Sequence, residues 1–317
     1  MIAVHLEAGH VSIVKRPKPR RREGFALLRL LAGGICNTDL ELRRGYYGFR
    51  GTPGHEFVAE VVECDTPSLR GKRVVGEINL NCGACEWCAG GLGRHCPTRT
   101  VLGIVRHPGA FRELIDLPER NLHVLPDSIP TEHAVFVEPL AAACEILDQV
   151  RIPKGREVAV LGDGKLGLLI AQVLHAQGAK VHHYGRHREK LALSSTAGIA
   201  TEVTTTLPHG RYEFAVDATG SAEGLSQAAS LLRPRGTLIL KSTVHGHVRI
   251  DTAPVIVNEI TLVGSRCGRF EPAIRLLRTG KVKVDRMISE RFRLPEAAAA
   301  FERASQRGVL KVLLAGE

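Results

Sequence analysis

Long apolar runs are absent from this chain. No stretch of about 18 uninterrupted apolar residues occurs, and that is the length a membrane-crossing helix needs, so a transmembrane span is excluded. The first residues, M-I-A-V-H-L-E-A-G-H, have neither the basic flank nor the apolar stretch of a signal peptide. A cytoplasmic protein is expected, one in which thiols stay reduced and clustered cysteines suggest metal before disulfides. Internal repeats and low-complexity tracts are missing too, which excludes a repeat architecture. Acidic residues are the scarcer charge: 33 Asp and Glu against 43 Lys and Arg leave a net charge of +10. A nucleic-acid surface would need that excess gathered in one place. The cations are instead spread along the chain, dense only between Lys15 and Arg22, and a solvated face accounts for them. No nucleic-acid partner is expected, while an anionic small ligand stays open.

What is present suits a globular protein of two domains. The chain has 317 residues, 44% hydrophobic and 24% charged, which is enough for two separate cores. Through the first 130 or so residues, short β-type runs such as F-V-A-E-V-V and K-R-V-V-G-E-I are broken by Gly and Pro. From about Pro153 the texture changes. E-V-A-V-L-G reads as a buried strand and K-L-G-L-L-I-A-Q-V-L-H-A-Q as a helix ended by Gly178, after which A-K-V-H-H-Y-G reads as a second strand. Further strands alternate with helix-length segments through E-F-A-V-D-A-T-G, G-T-L-I-L-K-S and I-T-L-V-G-S. The fold class is α/β, with a doubly wound parallel sheet in this second region.

Between that first strand and its helix lies G-D-G-K-L-G, comprising Gly162, Gly164, Lys165, Leu166 and Gly167 around Asp163. The strand–turn–helix setting makes the pattern a dinucleotide site, in which pyrophosphate approaches the backbone and meets the unpaired N–H groups of the helix start. An NAD site calls for Asp or Glu at the end of the second strand. Here Tyr184-Gly185-Arg186-His187-Arg188 stands in that place, with no carboxylate before Glu189. A small residue followed by cations suits a 2′-phosphate, so Gly185, Arg186 and Arg188 favour NADP over NAD.

Four of the eight cysteines fall in one stretch, Cys82, Cys85, Cys88 and Cys96. Four thiolates at this spacing can close a tetrahedron around zinc with no position left for substrate, so the site staples a loop and catalysis lies elsewhere. An iron–sulfur cluster is the chemical alternative. A second group, Cys36 in G-I-C-N-T-D, His55 and Glu56 in P-G-H-E-F, and Glu138 in V-E-P-L-A, could hold an open metal site.

Together, in this order, these motifs resemble the zinc-dependent medium-chain dehydrogenase/reductase family of alcohol, sorbitol, glucose and threonine dehydrogenases. The resemblance runs from G-I-C-N-T-D to the terminal G-V-L-K-V-L-L. It implies a GroES-like catalytic domain over 1–140 with a structural-zinc lobe at 82–96, a Rossmann domain over 141–268, and a return to the catalytic domain over 269–317. It implies two zinc ions per chain, substrate in the cleft between domains, and a homodimer or homotetramer. The catalytic zinc would be held by Cys36, His55 and Glu138, with Glu56 beside it as a direct or water-mediated ligand. Thr38 matches the proton-relay position, Asp39 would orient His55, and Lys311 matches a basic position that pairs with Glu56. Thr219 of D-A-T-G joins the cofactor residues. The Cys-His-Glu set resembles the sorbitol and glucose branch, so the expected reaction moves a hydride between a secondary hydroxyl of a polyol, sugar or cyclitol and NADP. A threonine or simple alcohol dehydrogenase, or a catalytically silent nucleotide-binding member, is the alternative. The chain departs from the family in being shorter, around E-C-D-T-P-S-L-R-G-K, and in carrying Glu41 where some members have a relay histidine. No role is assigned to Cys64, Cys144 or Cys267.

Overall fold

The computed structural model describes residues 1–203, 206–243, 248 and 250–316, so Glu317, the end of the expected C-terminal segment, lies outside the described residues. Two compact units divide the chain: Met1–Glu138 with Met287–Glu317, and Pro139–Arg286.

The first unit is built on antiparallel strands. An N-terminal hairpin joins β1 (Ile2–Glu7) to β2 (His10–Lys15). The larger sheet begins with β3 (Phe25–Gly34), whose chain then turns into the short helix α1 (Asn37–Arg43). It continues through β4 (Glu56–Glu63), β5 (Arg73–Gly76), β6 (Leu114–Pro118) and β7 (Leu122–Val124). β3 is central: it pairs with both β4 and β6, and Ala26, Leu28 and Leu30 on it are buried. Between β5 and β6 a small sheet of Asn79–Leu80, Thr100–Leu102 and Arg106–His107 carries the four-cysteine loop. Helix α2 (Val137–Gln149) starts on the last two residues of this stretch, and from Pro139 onward it belongs to the second unit.

The second unit alternates strand and helix, as its 2-then-3.6 hydrophobic periods require. Its elements are β8 (Glu157–Leu161), α3 (Lys165–Ala176), β9 (Lys180–Gly185), α4 (Arg188–Thr196), β10 (Ala200–Val203), β11 (Tyr212–Asp217), β12 (Leu232–Leu240) and β13 (Thr261–Gly264). All pair in parallel, in the order β10-β9-β8-β11-β12-β13. Numbered within the unit this is 3-2-1-4-5-6, the Rossmann order, with its strand-order reversal beside β8. Ala159, Leu161, Tyr184, Ala215 and Leu238 share its core.

Residues 269–286, expected with the C-terminal return, fall in this second unit. Hydrogen bonds tie them there. Arg269 pairs with Asp148 at 3.1 Å, and the Gln172 amide of α3 accepts the N–H of Lys283 at 2.8 Å and donates to its carbonyl at 3.1 Å. The chain then re-enters the first unit as β14 (Ile288–Arg293) and β15 (Lys311–Ala315), the latter pairing antiparallel with the end of β3. No described helix is long and apolar enough to cross a membrane.

Candidate functional site

The four clustered thiols come together as a compact set. Cys85 Sγ lies 3.5 Å from Cys88 and 3.8 Å from Cys96, and Cys82 lies 3.9 Å from Cys88 and 3.6 Å from Cys96. A disulfide needs about 2.05 Å, and none of the eight cysteines, all among the described residues, forms one. Zn–S bonds of about 2.3 Å set tetrahedral edges of about 3.8 Å, so the thiols stand where a zinc ion would hold them. Backbone N–H groups of Ala84 and Cys85 point at the Cys82 sulfur. Hydrogen bonding from Thr98 draws the Cys96 thiol down to about 6, while burial pushes Cys88 up to about 11. Metal uptake at such a site displaces whatever protons the thiols still hold.

The second donor group forms where β3, α1 and β4 meet. Cys36 is the residue before α1, and His55 and Glu56 stand at the start of β4, so a strand end and a strand start are brought side by side. One donor atom from each of Cys36, His55 and Glu56 lies within 4.8 Å of the others. His55 and Glu56 are almost wholly buried. Asp39 organises the group from beneath. Its Oδ2 accepts the N–H of Cys36 at 2.8 Å and its Oδ1 accepts the N–H of Gly54 at 3.1 Å, fixing the backbone on both sides. The same Oδ1 lies 3.5 Å from His55 Nδ1, a buried atom with no closer hydrogen-bond partner. With Nδ1 turned to Asp39, Nε2 is the nitrogen left for a metal, the arrangement by which metal-bound imidazoles are commonly oriented.

Electrostatics favour a cation here. Burial works to lower the His55 pKa, yet the Asp39 carboxylate and the Cys36 sulfur override it and hold the imidazole well above its usual value. A divalent ion would take the place of that proton. Glu56 pairs with the ammonium of Lys311 from β15, both fully buried, and Lys311 Nζ also stands 5.7 Å from the Phe136 ring centroid. Thr38 Oγ1 lies 3.8 Å from Cys36 Sγ, facing the donor group, and Glu41 is drawn away into a pair with Arg44 at 2.7 Å. Glu138, second residue of α2 and half-buried, stands outside the triplet of Cys36, His55 and Glu56.

In the second unit, Gly162 directly follows β8 with a φ of +117°, a value that favours glycine, and a Cβ there would strike the Ala218 carbonyl. Gly167 packs against the Gly162 carbonyl, and Gly164 caps α3 with open space where a Cβ would stand. Lys165 and Leu166 form the helix's first turn. Thr219 hydrogen-bonds Asp217 through both its N–H and its hydroxyl, which fixes the D-A-T-G turn beside Gly162. That geometry fits a dinucleotide phosphate on the helix start. Arg186 and Arg188 are exposed. The space over Gly185 is filled: a Cβ there would overlap the carboxylate of Asp163, so this glycine makes room for a side chain of the protein itself.

Comparison with known proteins gives the chemistry a family. Residues 22–127 match the alcohol dehydrogenase GroES-like domain and residues 166–279 the zinc-binding dehydrogenase domain. A zinc-binding dehydrogenase of Sinorhizobium meliloti 1021, bound to NADP, superposes with a TM-score of 0.90 at 29% identity, covering 99% of this chain and 98% of that one. A sorbitol dehydrogenase of Halalkalibacterium halodurans is 27% identical over 96% of both chains. The D-altritol 5-dehydrogenase of Agrobacterium fabrum is 31% identical over 98% of both chains. The chain belongs to the zinc-dependent medium-chain dehydrogenase family. It is an oxidoreductase acting on CH–OH groups, with zinc and a nicotinamide dinucleotide as its cofactors.

Within this medium-chain dehydrogenase the Glu56–Lys311 pair has a testable cost. Burial alone would lower the Lys311 pKa, and the Glu56 carboxylate raises it above the usual lysine value. Lys311→Met leaves that carboxylate buried without its cation, for which about 3–5 kcal/mol of destabilisation is expected. Urea unfolding of the zinc-free protein measures it. Adding Glu56→Gln to Lys311→Met should restore most of the loss, and failure to do so would show that the pair is not the cause.

Three residues near the sites carry no signal of their own in the sequence. Asp163 and His187 meet across the loop after β9, and His183 reaches back from β9 to the Gly162 carbonyl at 2.9 Å. Spacing alone could not reveal contacts that depend on strand register.

Proposed function

We propose that this dehydrogenase oxidises a secondary hydroxyl of a polyol, sugar or cyclitol and reduces NADP, using one zinc ion at Cys36 and His55 and a second in the four-cysteine lobe. The observation that carries the reading is the buried triplet of Cys36, His55 and Glu56, an incomplete donor set beside a complete one. Four thiols leave a metal no free position, whereas a thiol, an imidazole and a carboxylate leave room for substrate oxygen. The polyol bias is supported by the substrates named for the D-altritol and sorbitol relatives. NADP is supported by exposed Arg186 and Arg188 and by the NADP of the Sinorhizobium meliloti structure.

When bound, the catalytic zinc supplies a Lewis acid that acidifies a substrate hydroxyl, and the nicotinamide supplies the hydride acceptor. The chain's own groups do the rest. Cys36 and His55 are the proposed ligands, and Asp39 keeps their backbones and the imidazole oriented. Thr38, with its hydroxyl beside Cys36, is positioned to relay the substrate's proton, accepting it on Oγ1 while giving up its own to water. Lys311 restrains the Glu56 carboxylate, and Glu138 and Glu56 are the candidates to complete the metal's shell. A homodimer or homotetramer paired along β13, an edge strand with exposed Thr261 and Leu262, belongs to this reading; a monomer in light scattering would remove that part.

The test is parallel reduction of NADP and NAD by zinc-replete protein against polyols, sugars, threonine and simple alcohols. The expected result is turnover with a polyol-type secondary alcohol and a kcat/KM for NADP about tenfold or more above NAD, a preference that Arg186→Ala abolishes. Faster turnover with NAD would make the two arginines ordinary surface residues.

A further inference from the structure

A carboxylate inside a phosphate-binding turn has the wrong sign for its ligand unless it is occupied elsewhere. Asp163, between the first two glycines, is only 8% exposed, and its partners lie across the loop that follows β9. Its Oδ2 accepts the N–H of Arg186 at 2.6 Å and the N–H of His187 at 2.7 Å. The ring Nδ1 of His187 stands 3.1 Å from both of its oxygens. Its carboxyl also lies against the Cα of Gly185, in the space any other residue would fill with a side chain. Burial would raise the Asp163 pKa, but the hydrogen bonds from His187 and Arg186 outweigh it and keep the group ionised below the usual range.

The same turn is pinned from its other side. His183 is wholly buried, with Nε2 2.9 Å from the Gly162 carbonyl and Nδ1 2.8 Å from Ser194 Oγ. A carbonyl only accepts, so Nε2 carries the hydrogen and Nδ1 accepts from the serine hydroxyl. One side chain from β9 therefore grips the glycine turn, and one side chain from the glycine turn grips the end of β9. Parallel pairing of Leu161 with Tyr184 sets both contacts in register.

We propose that Asp163 is a specificity-determining positioning residue, a latch that holds residues 185–187 against the glycine turn and thereby fixes Arg186 and Arg188 for the 2′-phosphate of NADP. The inference rests on the NADP reading above. In an NAD site a strand-end carboxylate offers its lone pairs to the ribose hydroxyls. Here the carboxylate at the strand end arrives from the turn and spends its lone pairs on two backbone N–H groups and an imidazole. What remains for the 2′ position is the pair of exposed guanidinium groups, and their placement depends on the backbone that Asp163 holds.

The experiment compares wild type with Asp163→Asn and His187→Ala as zinc-loaded full chains. It measures binding of adenosine 2′,5′-bisphosphate and of 5′-AMP, together with KM and kcat for NADP. Wild type is expected to bind the bisphosphate more tightly than AMP. Asp163→Asn should weaken bisphosphate binding and raise the NADP KM by about tenfold, with AMP binding and kcat changed by less than about threefold. His187→Ala, which keeps both backbone hydrogen bonds, should give a smaller loss in the same direction, and serves if Asp163→Asn does not fold. A wild type that prefers the bisphosphate, with variants that keep the full preference, overturns the latch and leaves the NADP reading standing. A wild type that binds both fragments equally overturns both. Greater loss with AMP than with the bisphosphate would make Asp163 a ribose acceptor and also overturn the latch.

Discussion

Cys36→Ser is expected to lower kcat/KM by about a thousandfold or more while leaving the melting temperature within a few degrees of wild type. A bound zinc supplies several kcal/mol of charge stabilisation in the transition state, and each 1.36 kcal/mol is a factor of about ten in rate. The exchange of sulfur for oxygen changes little else. Cys36 precedes α1, a position where serine is a preferred helix cap, and its N–H can keep its bond to Asp39. The thiol has no covalent partner to lose. Steady-state kinetics and thermal unfolding, run side by side, check the two halves of the expectation. Activity within tenfold of wild type would remove Cys36 from the reaction, and a large fall in melting temperature would assign it to the fold.

Cys85→Ser should give the opposite pattern. Its sulfur lies within 3.8 Å of both Cys88 and Cys96, so its removal opens two of the closest contacts in the lobe. Metal binding at such a site is folding free energy for the loop that carries it. A loss of about 4 kcal/mol or more belongs to the small class of metal-removing substitutions, and it corresponds to a fall of roughly 10 °C in melting temperature. Turnover per folded molecule at low temperature should stay within about threefold, because the lobe offers substrate no open position. An unchanged melting temperature would contradict the staple. Iron in place of zinc in the purified protein would mark the lobe as a cluster site.

Local patterns in the sequence carried much of this. The apolar period of K-L-G-L-L-I-A-Q-V-L-H-A sets α3, and its glycine turn sits between β8 and that helix as the motif requires. The cysteine spacing alone foretold a compact four-thiol set, since its residues lie within one loop and need only a tight turn to meet. Pairing of Lys311 with Glu56 was expected from family resemblance, and the alignment of β15 with the end of β3 carries Lys311 to it. Contacts between distant segments were not legible. Gly185 was read as room for a 2′-phosphate, whereas Asp163 occupies that space, because parallel register lays the glycine turn over the end of β9. The grouping of 269–286 with the second unit was hidden for the same reason: it depends on Gln172 and Asp148 meeting residues about a hundred positions away. The place of Glu138 outside the triplet of Cys36, His55 and Glu56 is likewise not written in its V-E-P-L-A motif, because that triplet is assembled from segments far apart in sequence.

Zinc counting joined to kinetics shows whether turnover depends on a metal held by Cys36. Purified wild type and Cys36→Ser are analysed for zinc per chain and assayed with NADP and the best polyol substrate. About two zinc ions and full turnover are expected for wild type, and about one zinc ion with turnover lost for Cys36→Ser, the remaining ion being held by Cys82, Cys85, Cys88 and Cys96. Full turnover from protein stripped of zinc, or from Cys36→Ser holding a single ion, would remove the metal at Cys36 from the reaction.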